Sequence, residues 1–137
     1  MNLVEKLMQA DISKCAEKER DTIPSKRLAK ILGQSDPVDV EVIEVDQRLL
    51  NEILADQFDR KGRFDPSRAY DAQLRCLTEG VVSPSLKDKG LMEHFGCHTP
   101  KDLAERIFKG EAKKIADRIV ELSGIESENE GDNEIKN

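Results

Sequence analysis

The chain has 137 residues, 37% of them hydrophobic and 36% charged, with a formal charge of −6 and no Trp. That length suits one domain, and the charge fraction, above the roughly 25% of an average globular protein, demands a large solvated surface. The acidic balance disfavours duplex DNA and anionic membranes as partners of the whole molecule. Three widely spaced cysteines, Cys15, Cys76 and Cys97, argue against a disulfide framework. The N-terminus does not read as a signal peptide, because Glu5, Lys6 and Gln9 interrupt its apolar residues. No stretch approaches the roughly 20 apolar residues of a membrane span. The expected location is the cytoplasm.

In chain order, Val4, Met8, Ile12 and Cys15 fall at helical spacing, predicting one amphipathic helix over residues 3–18. Residues 19–24 read as extended and end at Pro24. Residues 25–32 fit either a short helix, capped by Ser25 and stopped by Gly33, or one arm of a hairpin. Val38 to Val45 is the best strand, β-branched and largely alternating apolar with acidic. It needs a partner, either residues 19–24 or another chain.

A helix is expected from Asp46 to about Phe58, with Val45 and Leu50 placed as a hydrophobic staple. After a polar turn, Asp65-Pro66 opens a helix that stops at Gly80. Val81 to Ser85 reads as a connector. Residues 87–95 form a short helix closed by Gly96, Thr99-Pro100 starts the next, and Gly110 breaks or bends it. Residues 111–123 give the clearest helix, ended by Gly124. Residues 126–137 carry five acids, one Lys and one Ile, and are expected to form a disordered acidic tail. The expected class is mostly α: a single helical domain over residues 1–125, with a short β-strand or hairpin near the N-terminal third.

Little in the sequence points to chemistry. His94 and Cys97 are three residues apart, but a zinc site needs a second ligand group, and none is present. No glycine-rich phosphate loop exists, and no acid sits isolated in an apolar context. No enzyme, metal or cofactor is expected. Between Leu86 and Leu122 three short helices resemble a helix-turn-helix layout. Eight basic residues against seven acidic give that region only +1, with the signs interspersed, which is a solvated surface and not a phosphate-reading stripe.

The stretch from Pro84 to Gly124 resembles the C-terminal half of the XkdN-like tail assembly chaperones of prophages. The landmarks are Pro84, Leu86, Leu91, Phe95-Gly96, Thr99-Pro100, Leu103, Gly110-Glu111, Ile115, Ile119 and Leu122-Ser123-Gly124. Upstream, Lys26-Arg27-Leu28, the Val38–Val45 strand and the following helix are also similar to the family. The resemblance implies a protein that binds the phage tape-measure protein, keeps it soluble and assists tail tube assembly, with the tail tube protein as a further partner. It implies action in the host bacterial cytosol, self-association, absence from the finished virion and, in many members, a longer form made by frameshifting. The residues alone equally suit a generic helical protein-binding adaptor, and less well a small DNA-binding regulator.

Partner-binding candidates are the apolar positions of the C-terminal helices: Leu91, Phe95, Leu103, Ile107, Phe108, Ile115 and Ile119. Some of these must form the domain's own core. Phe95 and Phe108 lead because aromatic anchors dominate interfaces. Self-association is expected on two grounds: an exposed edge on the Val38–Val45 strand, and a second apolar line, Ala116 and Val120, on the last helix. Deleting residues 126–137 should leave the melting temperature within about two degrees of the full chain. A cooperative loss of structure in a thermal scan would show that the tail docks.

Overall fold

The computed structural model describes residues 1–124. Seven α-helices and three strands follow in the order α1 (Leu3–Met8), β1 (Arg20–Ser25), α2 (Lys26–Leu32), β2 (Val38–Ile43), α3 (Gln47–Ala55), α4 (Pro66–Gly80), β3 (Val81–Ser83), α5 (Lys89–His94), α6 (Pro100–Phe108) and α7 (Ala112–Leu122). Short 3₁₀ turns occupy Ile12–Ala16 and Lys109–Glu111. The tail expected at 126–137 lies outside the described residues.

The mostly α expectation needs correcting. Helices hold 57% of the described residues, but the fold is α+β, because a three-stranded antiparallel sheet of order β1-β2-β3 forms part of the core. β1 pairs with β2 in the register Ile23↔Val40 and Asp21↔Val42. β3 pairs on the other side through Glu41↔Ser83 and Val42↔Val81, with a register shift between Glu41 and Val42. The connector expected at Val81–Ser85 is therefore the third strand. It is too short to show a period, and its partner lies some forty residues back in the chain.

Alternation sets the two faces of the sheet. Ile23, Val40 and Val42 are buried, while Thr22, Asp39 and Glu41 face water. β2 is the central strand, so the exposed edge expected of it does not exist. Ala116 on the last helix is also buried, and Val120 packs partly against the core. The edge ground for self-association therefore falls, and of the second apolar line only Val120 keeps a partly exposed side chain.

Local chemistry fixes the helix ends. The Ser25 hydroxyl accepts from the Leu28 N–H at 3.1 Å, and Gly33 takes the left-handed φ of 71° that ends α2. The stretch at 25–32 is thus a helix and not a hairpin arm. Asp65 caps α4 through Ser67 N–H at 2.9 Å, with Pro66 in the first turn. Thr99 caps α6 through Asp102 N–H at 3.1 Å. Val45 and Leu50, the expected staple, are both buried at the start of α3.

The helix expected over residues 3–18 is broken. Asp11 accepts from the Ser13 backbone at 2.9 Å and its hydroxyl at 2.7 Å, which starts a 3₁₀ turn in place of continued helix. No side chain of residues 1–20 is buried, so this segment is an arm outside the core.

The core closes where α7 crosses α4. Gly80 ends α4, and a Cβ built there would lie 2.6 Å from Ile119 Cδ1 and 2.7 Å from its Cγ2. Ile119 is itself fully buried. Both ends of α7 are tied. The Glu111 carboxylate accepts from Ser25 Oγ at 2.5 Å and from Lys26 N–H at 3.0 Å, satisfying the start of α2. At the other end, Ser123 Oγ accepts from Val45 N–H at 2.9 Å and donates to the Ile119 carbonyl at 2.7 Å.

Gly80→Ala should cost about 1–3 kcal/mol, because a methyl there overpacks an immobile neighbour. Ile119→Val in the same chain should recover part of the loss. Urea unfolding of the three variants checks this. An unchanged midpoint for Gly80→Ala would show that the helices are not in contact there.

Candidate functional site

The structure sorts the seven candidate residues. Leu103, Ile107, Phe108, Ile115 and Ile119 are each at most 2% exposed and belong to the core cluster. The helices that carry them are short, so each apolar face is consumed by α4, the sheet or one another. Phe108, one of the two leading candidates, is fully buried. Leu91 and Phe95 are different. They lie with Met92 on and just after α5, half-buried against the core and half in water. His94 stands edge-on to Phe95, with ring centroids 5.1 Å apart.

Sequence reasoning did not name the exposed apolar residues of the arm as partner-binding candidates. Leu3, Val4, Leu7, Met8 and Ile12 on the arm are between 63% and 87% exposed. The signal was present, because their helical spacing marks one apolar face. The structure seats that face on nothing of the domain's own, since α1 buries no residue. A smaller exposed pair, Phe58 and Phe64, meets edge-to-face at 6.2 Å across the turn between α3 and α4.

Beside α5 lies a cleft of about 500 Å³. The turn Gly96-Cys97 forms one wall, and Arg27 of α2 with Arg106 and Lys109 at the end of α6 supply three cations. Asp102 and Glu105 also border it. No carboxylate among the described residues pairs with any of the three cations. Arg27 Nε is buried with no acceptor, and an unsatisfied buried donor costs about 1–3 kcal/mol. Lys109 has φ 48° and is the one non-glycine residue with positive φ among the described residues.

A second cleft, between β1 and α7, differs in its electrostatics. There Arg118 is held by Asp21 at 2.7 Å and by Glu121 at 3.0 Å. The Arg118 guanidinium, then the Thr22 N–H, hold the Asp21 carboxyl below its ordinary range.

Nucleophilic chemistry finds no support. Burial, then the nearby Asp117 carboxylate, push the Cys76 thiol up to about 12, far from the thiolate form that reacts. Cys97 is buried with its Sγ 3.7 Å from the Phe95 carbonyl. His94 and His98 are exposed. Among the described residues no group of three or more His, Cys, Asp or Glu comes together to hold a metal, and no helix is long and apolar enough to cross a membrane.

The family model described as phage XkdN-like tail assembly chaperone protein matches residues 4–136, nearly the whole chain. The chain belongs to that family. It is therefore a phage tail assembly chaperone, from a family of chaperones and not of enzymes. A crystal structure of the protein yqbn is similar to it with TM-score 0.57 at 19% identity, over 80% of this chain and 88% of that one. That likeness shows the fold. No curated protein matches.

A thiol titration of the native chaperone should read one reactive group per chain, the exposed Cys15, and three after denaturation. Rapid reaction of two or more thiols in the native protein would show that Cys76 or Cys97 is accessible.

Proposed function

We propose that this chaperone binds the phage tape-measure protein, keeps it soluble and hands it to the assembling tail tube in the host cytosol, and that the arm is its main contact. One observation carries the reading. Five large aliphatic side chains on residues 3–12 lie in water on a segment with no seat on the protein's own core. Contiguous exposed apolar surface of this kind marks an interaction site. Its helical spacing suits an amphipathic segment laid against an apolar stripe of a long helical client. Leu91 and Phe95 on the α5 ledge supply a second, smaller apolar contact. The buried candidates act indirectly, by holding the scaffold together.

Co-expression with the tape-measure protein of the same phage tests this. The wild-type chaperone should raise the client's soluble fraction. The double substitution Leu7→Glu and Ile12→Glu should abolish that rescue with little change in the chaperone's own stability, since exposed positions shift it by about ±0.5 kcal/mol. Phe108→Ala should instead cost about 3–5 kcal/mol of chaperone stability. Full rescue by the double variant, or equal client solubility with no chaperone at all, contradicts the reading.

A further inference from the structure

We propose that the cleft between α2 and α6 binds a peptide carboxylate, supplied by an Asp or Glu beside an apolar stripe on a client helix. The proposal deepens the tape-measure reading above and rests on it.

Three observations converge on this cleft. Arg27, Arg106 and Lys109 meet there from two elements, with no carboxylate of the described residues paired to any of them. Arg106 and Lys109 lie at the carboxyl end of α6, and the helix dipole accounts for some of that positive charge. It does not account for Arg27, which comes from α2 and keeps a buried Nε with no acceptor. A guanidinium cannot shed its proton, so Arg27 stays a cation at the cleft wall, where its terminal N–H groups can donate to a ligand. Of the two acids at the rim, Glu105 lies against the Tyr70 hydroxyl, while Asp102 sits in the first turn of α6, where the helix N-terminus favours its negative charge.

The cleft also adjoins apolar surface. Its Gly96-Cys97 wall is the turn that follows α5, directly after Leu91, Met92 and Phe95. A client helix lying with its apolar stripe on that ledge presents side chains three or four positions away toward the cations. Arginine grips such a carboxylate through two parallel hydrogen bonds, whereas an isolated anion in water offers no apolar half. The ligand class is thus an acidic amphipathic helix.

Lys109 separates a binding role from a structural one. Its φ of 48° is strained for any side chain and free for glycine. Lys109→Gly should therefore melt no lower than the wild type. If Lys109 serves the cleft, the same variant binds client more weakly.

The test uses overlapping peptides that span the tape-measure protein of the same phage, titrated against the full-length chaperone by fluorescence anisotropy. The tightest peptides should carry an Asp or Glu beside an apolar stripe. Replacing that acid by its amide should weaken binding roughly tenfold, the effect of one charge-assisted contact. Arg106→Gln and Lys109→Gly should each weaken it about threefold or more, and added salt should do the same. Unchanged affinity in both variants, or tight peptides without an acid, overturns the proposal while leaving tape-measure binding intact. Equally tight binding of a peptide of the chain's own residues 125–137 overturns it in favour of an internal ligand. If no tape-measure peptide binds, the tape-measure reading fails and the proposal falls with it.

Discussion

The close approach of α7 to α4 at Gly80 governs the rest of the molecule. Because Gly80 has no side chain, Ile119 can occupy the space where a Cβ would stand. Cys76, one turn earlier on α4, brings its Sγ to 3.9 Å from the Ala116 carbonyl. That contact sets the position of α7, and the two ends of α7 then fix elements far away in sequence. Glu111 meets the start of α2 across 86 residues, and Ser123 meets Val45 across 78. One helix thereby ties the β1–α2 junction to the end of β2. Moving it outward by a methyl group would strain all three attachments together.

This arrangement explains where the apolar residues went. With α7 pressed against α4 and the sheet, Ile115, Ala116 and Ile119 have no face left for a client. α6, packed against α4, loses Leu103, Ile107 and Phe108 to the core in the same way. The apolar surface left exposed on these elements is peripheral, and the proposed contacts, the arm before β1 and the ledge of α5, lie there. Under the proposed reading, such a chaperone engages and releases a client without opening its own core, because the arm contributes little to its stability.

Much of the fold was legible because helix ends are local. Ser25, Asp65-Pro66, Thr99-Pro100, Gly33 and Gly124 each declare a boundary through chemistry confined to a few residues. The pairing of residues 19–24 with Val38–Val45 was one of two partners read from alternation and length, and it is the one found. Long-range facts were not legible. Nothing in Val81–Ser83 announces that β2 receives it as a third strand, and no spacing rule brings Arg27 to the end of α6. Periodicity also failed to separate core from surface. The face at Leu3 to Ile12 and the face at Ile115 to Ile119 both have helical spacing, yet one is solvated and the other buried. The difference lies in what packs opposite, which a single helix does not encode. Resemblance to a family supplied the function, because caps and core positions carry no chemistry that names a client.

The central claim is that the client is held by the arm outside the packed core. Hydrogen–deuterium exchange of the chaperone, free and in complex with the tape-measure protein of its phage, tests it most directly. The account predicts that amides of residues 3–16 exchange rapidly in the free protein, as expected for an arm that buries nothing. In the complex they should become protected, while α4, α6 and α7 keep the slow exchange of the core. A complex in which the arm exchanges as fast as in the free chaperone, with protection gained only elsewhere, would contradict the account.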